Sequence, residues 1–193
     1  MSVGRDTAGA GLSGDDARFA ELYARWYRPI WEYCSRRVAA DAVDDAVADT
    51  FLAVWRRLDE VPAGDEALMW TYRVAYRVIG HQWRSSARRR RLQGRLRAVD
   101  SRPVVAEVEV PPDGDQFRLV LAALARLGDT DAEVLRLVAW EQLSIADVAA
   151  VVGIKPDTAR QRLHRARQNL AREYGRLQSH QSSSPAAPTG GAR

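Results

Sequence analysis

Apolar positions recur at helical spacing along most of the chain. Phe19, Leu22, Tyr23, Trp26, Tyr27 and Ile30 form one stripe, and Val43, Val47, Phe51, Val54, Trp55 and Leu58 a second. A third helix is predicted from about Glu66 through Leu68, Tyr72, Ala75, Val78 and Ile79 to Trp83, after a loop punctuated by Pro62 and Gly64. The pattern then stops. Residues 85–97 carry Arg88 to Arg91, Arg95 and Arg97, a basic run with the makings of a helix at its start, and residues 100–115 turn acidic with Pro103, Pro111 and Pro112. The alternation of Val104, Val105, Val108 and Val110 lacks a second strand to pair with, and a lone strand is unstable. Helical periodicity returns with Phe117, Val120, Leu121, Leu124 and Leu127 up to Gly128, followed by Val134, Leu135 and Val138 behind a predicted cap in Asp129 to Asp131.

The expected fold is therefore all-α, with two small helical domains joined by a flexible linker. The boundaries read as a tail over 1–14, a first domain over 15–86, a linker over 87–115, a second domain over 116–175 and a disordered tail over 176–193.

Composition narrows the function classes. With 29 Lys+Arg against 25 Asp+Glu in 193 residues the formal charge is only +4, and one cysteine, Cys34, excludes a disulfide framework or a cysteine-rich zinc module. No apolar run reaches the roughly 18–20 residues that a membrane span needs, and Met1 to Gly14 lacks the layout of a signal peptide, so a cytoplasmic protein without membrane insertion is expected. Lys155 is the sole lysine. Arginine suits phosphates and base edges, although codon usage in a GC-rich genome accounts for the same bias.

The informative stretch runs from Leu143 to Arg167. Ser144 can cap a short helix with Ile145, Val148, Ala149 and Val152 inward, Gly153 supplies the left-handed residue that ends it, and Ile154 plugs the turn. Pro156 then opens a second helix, where its missing N–H costs nothing. Ala159, Leu163, Ala166 and Leu170 form its inner face, while Asp157, Arg160, Gln161, His164, Arg165 and Gln168 form the outer one. Small Ala149 allows a close helix crossing, and long donors project from the second helix, as a reader of the major groove requires. The plainer alternative is a basic helical hairpin with solvated charges; the ordered cap, small residue, glycine and plug favour DNA recognition.

On these residues the segment from Ser144 to Arg167 resembles region four of bacterial RNA polymerase sigma factors of the extracytoplasmic-function (ECF) group. Leu22 to Trp31 resembles the opening of region two, Asp44 to Trp55 its acidic helix, and Trp70 to Arg77 its promoter-opening helix. The resemblance implies an alternative sigma factor that binds core polymerase, directs it to promoters and promotes melting. Region two would dock on the clamp helices of the largest subunit through Asp45, Asp49, Thr50, Trp55 and Arg56, with Phe51 in the core. Asp41 would cap a helix, and the acids as a group can equally form a solvated face. The minus-ten element would be captured as a single strand by Trp70, Arg73, Tyr76, Arg77, His81 and Arg84, beside a base pocket in residues 61–66, using aromatic platforms and backbone-following arginines. Trp70 and Trp83 have an ordinary core reading as well. Arg77 and His81 depart from the family pattern, where Asn and Asp are usual. The minus-thirty-five element would be read by Arg160, Gln161, His164 and Arg165, with Lys155, Thr158 and Arg162 nearer phosphates; the domain would also meet the flap of the second-largest subunit. An anti-sigma factor is a further implied partner.

The rival reading is a polymerase-independent helix-turn-helix regulator that binds operator DNA by itself. An enzyme is not expected: the chain has no glycine-rich phosphate loop, no metal-ligand spacing and no nucleophile constellation, so neither cofactor nor metal is called for. Cys34 reads as packing rather than as a redox sensor.

Overall fold

The computed structural model describes residues 13–93 and 114–182 and is helical throughout, without a strand among them. The valine alternation, the linker with Arg95 and Arg97, and both chain ends lie outside the described residues. Helix α1 (Gly14–Ser35) starts with a reciprocal cap, in which the Asp16 amide donates to the Ser13 hydroxyl and the Asp16 carboxylate accepts from the Ser13 amide, each at 3.1 Å. A single 3₁₀ turn (Ala40–Ala42) leads into α2 (Val43–Trp55). Asp41 sits in that turn and makes no cap for α2, whose cap residue is Ala42. A second 3₁₀ turn (Leu58–Glu60) and a loop with Gly64 at φ +66° precede α3 (Glu66–Gln93), whose backbone stays helical through the first four arginines of the basic run.

The second half comprises α4 (Gly114–Leu124), α5 (Asp129–Ala139), α6 (Ile145–Val152) and α7 (Pro156–Ser182). Two details differ from the sequence reading. Gly128 caps α5 without a side-chain bond, leaving Asp129 and Asp131 to act through the positive end of the helix. Helix α7 continues to Ser182, well into residues expected to form a tail. Leu177 there is half-buried, and just before it Glu173 pairs with Arg126, in the turn after α4, at 3.5 Å. Val120 is exposed at 38%, because α4 turns Leu119, Ala123 and Leu124 inward instead.

The two halves share one core. Ile30, Tyr33, Cys34, Val47, Phe51, Tyr72 and Ile79 from the first half belong to the same apolar cluster as Val134, Leu137, Val148, Val151 and Leu163 from the second, and α3 packs on α6 as well as on α1 and α2. A smaller cluster of Val54, Leu58, Val61 and Ala67 lies under Leu22, Trp26 and Trp70.

An ionic network is buried within this junction. Arg37, one residue past the cap of α1, donates from Nε to both oxygens of Glu133 at 3.0 Å and through its terminal nitrogens to Glu141 at 3.0 and 3.1 Å. The Tyr33 hydroxyl donates to Glu133 at 2.8 Å. The side chains of Arg37, Glu133 and Glu141 are each 1–2% exposed. Burial opposes the charge on Arg37, but Glu133, Tyr33 and Glu141 outweigh it and hold the guanidinium charged. Burial and the neighbouring Glu133 push the Tyr33 phenol well up, so it stays a donor. Two carboxylates on one arginine leave a negative excess that Arg136, 3.8 Å from Glu133, and half-buried Arg36, 3.4 Å from Glu141, offset.

Candidate nucleic-acid interface

The helix-turn-helix follows from short-range chemistry. The Ser144 hydroxyl accepts from the Asp147 amide at 3.2 Å, and Gly153 takes φ +78° to end α6. The Gly153 and Ile154 amides both donate to the Ala149 carbonyl, at 2.9 and 3.0 Å. A side chain at Gly153 would carry the left-handed strain of roughly 1–2 kcal/mol. Ala149, Ala159 and Ala166 are buried at the α6–α7 crossing with Leu163, and Ile154 packs against them from the turn. The predicted inner face of α7 is thus the observed one.

The opposite face is open. Lys155, Arg160, Gln161, His164 and Arg165 are exposed, and Thr158 is half-buried at the edge. The arginines are braced by acids: Arg160 pairs with Asp157 at 2.7 Å, Arg162 with Asp131 of α5 at 2.8 Å, and Arg165 with the other oxygen of Asp131 at 3.5 Å. His164 and Gln168 share a hydrogen bond at 3.0 Å. Arg162, expected near phosphates, is half-buried against α5, so it is the least available member of the set. Asp131 is the residue sequence reasoning passed over, because its partners lie 31 and 34 positions away.

On α3 the expected minus-ten set divides in two. Arg73, Arg77, His81 and Arg84 are exposed and recur at four, four and three residues, which places them along one stripe. Trp70 and Tyr76 are half-buried instead. Trp70 covers the smaller apolar cluster, with the Arg57 guanidinium 5.4 Å from its ring centroid. Tyr76 packs against the shared core, and burial raises its phenol. Trp83 also packs on the core, in keeping with its ordinary reading. The 61–66 loop is pinned from α1, where Arg18 donates to the Val61 carbonyl at 2.6 Å and Arg25 pairs with Asp65 at 2.7 Å.

The acidic helix α2 exposes Asp44, Asp45, Asp49, Trp55 and Arg56. Asp49 accepts from Gln82 of α3 at 3.2 Å. Thr50 is fully buried and donates its hydroxyl to the Ala46 carbonyl at 2.7 Å, so it shapes the helix and offers no surface to a partner. In its place the structure presents aromatics that the periodicity had assigned inward. Tyr23 and Tyr27 are 41% and 36% exposed, and on α2 Leu52 and Trp55 are 45% and 40% exposed. Phe19 stands edge-on to Trp55 at 5.0 Å and Tyr23 lies 4.7 Å from buried Phe51. Soluble monomers seldom leave such a contiguous apolar patch uncovered. Cys34 is buried, and burial pushes its thiol up to about 12, which leaves it unreactive at neutral pH.

Among the described residues no group of His, Cys, Asp and Glu could hold a metal ion, and no helix is long and apolar enough to cross a membrane.

Comparison with known proteins places these surfaces in a family. Residues 117–170, spanning α4 to α7, match the model described as Sigma-70, region 4. The ECF RNA polymerase sigma factor SigF of Caulobacter vibrioides is 31% identical over 169 residues, covering 86% of this chain and 90% of that one. The RNA polymerase sigma factor CnrH of Cupriavidus metallidurans is 27% identical over 175 residues, 86% of this chain and 92% of CnrH. In fold, the chain resembles the sigma factor RpoE of Bartonella quintana, solved with the anti-sigma factor NepR, with TM-score 0.63 and 20% identity over 80% of this chain and 95% of that one. A region-4 match in the second half and a match to SigF over 86% of this chain lead to one conclusion: the chain belongs to the ECF RNA polymerase sigma factors.

Proposed function

We propose that this alternative sigma factor recruits core RNA polymerase through α1 and α2, reads the minus-thirty-five duplex with α7 and traps the melted minus-ten strand along α3. Residues 15–86 form the first functional unit and 116–175 the second. The observation that carries the reading is the braced, outward face of α7: a helix-turn-helix with Arg160, Gln161, His164 and Arg165 exposed above a buried seam of Ala159, Leu163 and Ala166. Arg suits guanine and Gln suits adenine through paired hydrogen bonds.

The stripe of Arg73, Arg77, His81 and Arg84 has the charge and length to follow a single-strand backbone. The exposed Tyr23, Tyr27, Leu52 and Trp55, edged by Asp45, Asp49 and Arg56, supply an apolar centre with a charged rim, the usual anatomy of a protein interface. This face suits the clamp helices of the largest subunit, and an anti-sigma factor would compete for it; the second unit meets the flap of the second-largest subunit. The factor acts in the cytoplasm by binding and remodelling DNA, with no chemistry of its own.

In vitro transcription with core polymerase tests the reading directly. Wild type should initiate at discrete start sites, and Arg160→Ala or Arg77→Ala should depress promoter use. Normal promoter use by both variants would overturn the site assignment. Tight binding to duplex operator with no effect on polymerase would instead support the independent regulator.

A further inference from the structure

Helix α3 carries a glycine midway along its 28 residues, Gly80, for which the described part of the fold supplies no reason. A glycine inside a helix is less stable than an alanine there, because it has more backbone freedom to lose. Backbone conformation does not call for it: positive φ among the described glycines is confined to Gly64 and Gly153. Packing does not call for it either. Among the described residues, a Cβ at Gly80 would meet only the tip of Arg84, with Nη1 at 3.4 Å, and the end of a flexible side chain gives way easily.

The position of the gap is informative. Gly80 follows Arg77 by three residues and precedes Arg84 by four, so it lies on the same face of the helix as the exposed stripe of Arg73, Arg77, His81 and Arg84. Arg84 folds back one turn and lays its guanidinium over the glycine, the direction in which long side chains on a helix lean. On the other flank, Tyr76 and Trp83 pack against the core. The outcome is a notch in a row of cations, floored by helix backbone. Among the described residues no acid pairs with Arg73, Arg77 or Arg84, whereas on α7 Asp157 and Asp131 hold three arginines. Unpaired guanidiniums around a gap without a side chain suit one phosphate of a nucleic-acid strand, whose ester oxygens and sugars need the room that a methyl group would fill.

We propose that Gly80 is the point of closest approach for the backbone of the melted minus-ten strand, seating one phosphate against α3 between Arg77 and Arg84. The inference rests on the proposed use of α3 as the minus-ten reader and adds the depth at which the strand lies. A Cβ at Gly80 would hold the sugar–phosphate chain off the helix, and the two guanidiniums could then no longer both close on the same phosphate.

Gly80→Ala separates fold from function, because the two should move in opposite directions. Thermal unfolding of the free protein should show a melting temperature raised by about 2–4 °C, since alanine is the better helix former. Holoenzyme assembled with core polymerase should bind a single-stranded oligonucleotide carrying the minus-ten element of a mapped promoter about three- to tenfold more weakly, the worth of one hydrogen bond to the strand. Gly80→Leu should weaken it further, so that affinity falls as the side chain grows. Gly175→Ala is the control, at a glycine inside α7 with open space around it: the melting temperature should rise similarly and strand affinity stay unchanged. The proposal is overturned if Gly80→Ala raises stability and leaves strand affinity as it was. It is equally overturned if Gly80→Ala lowers stability, which would make the glycine a packing requirement. Arg77→Ala tells this failure from failure of the underlying reading. If Arg77→Ala weakens strand binding and the Gly80 variants do not, α3 is still the reader and only the notch is wrong; if none of them does, α3 is not the reader and both ideas fall.

Discussion

Helices α3 and α7 are nearly equal in length, at 28 and 27 residues, and both carry an arginine stripe, yet under the proposed function they would meet DNA in opposite ways. On α7 the inner face is small and aliphatic, so Arg160, Gln161, His164 and Arg165 point out, and nearby acids hold three arginines in place. On α3 the aromatics that would stack on bases are engaged in packing, and only the charged stripe faces solvent. A rigid duplex can be met by a preformed surface. A melted strand presents its bases only after the duplex opens, so its reader gains nothing from exposed aromatic platforms beforehand and avoids the cost of hydrating them.

The sharpest way to break this contrast is Trp70→Ala. If Trp70 is chiefly a lid on Val54, Leu58 and Val61, its loss should lower stability by about 2–4 kcal/mol, less than a fully buried tryptophan because the ring is half-exposed. Denaturant unfolding followed by circular dichroism reads this. Unchanged stability together with lost promoter melting would make Trp70 a preassembled platform and erase the distinction between the helices.

That contrast also explains what could be read from the sequence. The helix-turn-helix was legible because its determinants are local: Ser144, Ala149, Gly153, Ile154 and Pro156 act within one short segment, and each has the predicted role. The all-α architecture was legible from periodicity. Tyr23, Tyr27 and Thr50 were misplaced for the same reason in reverse. Periodicity identifies a stripe but not its width, and a stripe wide enough for six aromatic and aliphatic residues exceeds what α2 can cover, leaving Tyr23 and Tyr27 at its open margin. Thr50 occurs within an acidic motif, but its hydroxyl satisfies the Ala46 carbonyl, a contact that depends on helix phase. Nothing local announced the Arg37 network either, since its partners are about a hundred positions away.

On α7, Arg160→Ala should weaken binding to a minus-thirty-five duplex by about 1–3 kcal/mol, roughly ten- to a hundredfold, with little change in stability because Arg160 is exposed. Fluorescence anisotropy with cognate and scrambled duplexes measures this. A loss of equal size on both duplexes would reduce Arg160 to a phosphate contact. Lys155→Ala should have a smaller and different effect: affinity falls uniformly across sequences, and the slope of log affinity against log salt shrinks by about 1. A slope unchanged within error would remove Lys155 from the interface.

The smallest effect, and the most discriminating, is expected from Asp131→Asn. Asp131 holds Arg162 at 2.8 Å and Arg165 at 3.5 Å through separate oxygens, and its side chain is only 15% exposed. The amide keeps the shape but gives up the charge, so two arginines lose their common brace. Removing an acid near DNA phosphates should raise affinity for any duplex modestly, by less than about threefold at physiological salt, where charges more than about 8 Å apart are largely screened. Freeing Arg165 from a fixed direction should at the same time lower the ratio of cognate to scrambled binding. The two readouts thus move in opposite senses. If α7 is a preformed reader, its precision depends on such braces, and specificity must fall while total affinity does not. A specificity ratio equal to wild type would show that the arginines find their bases without being held, and α7 would then differ from α3 only in what it buries.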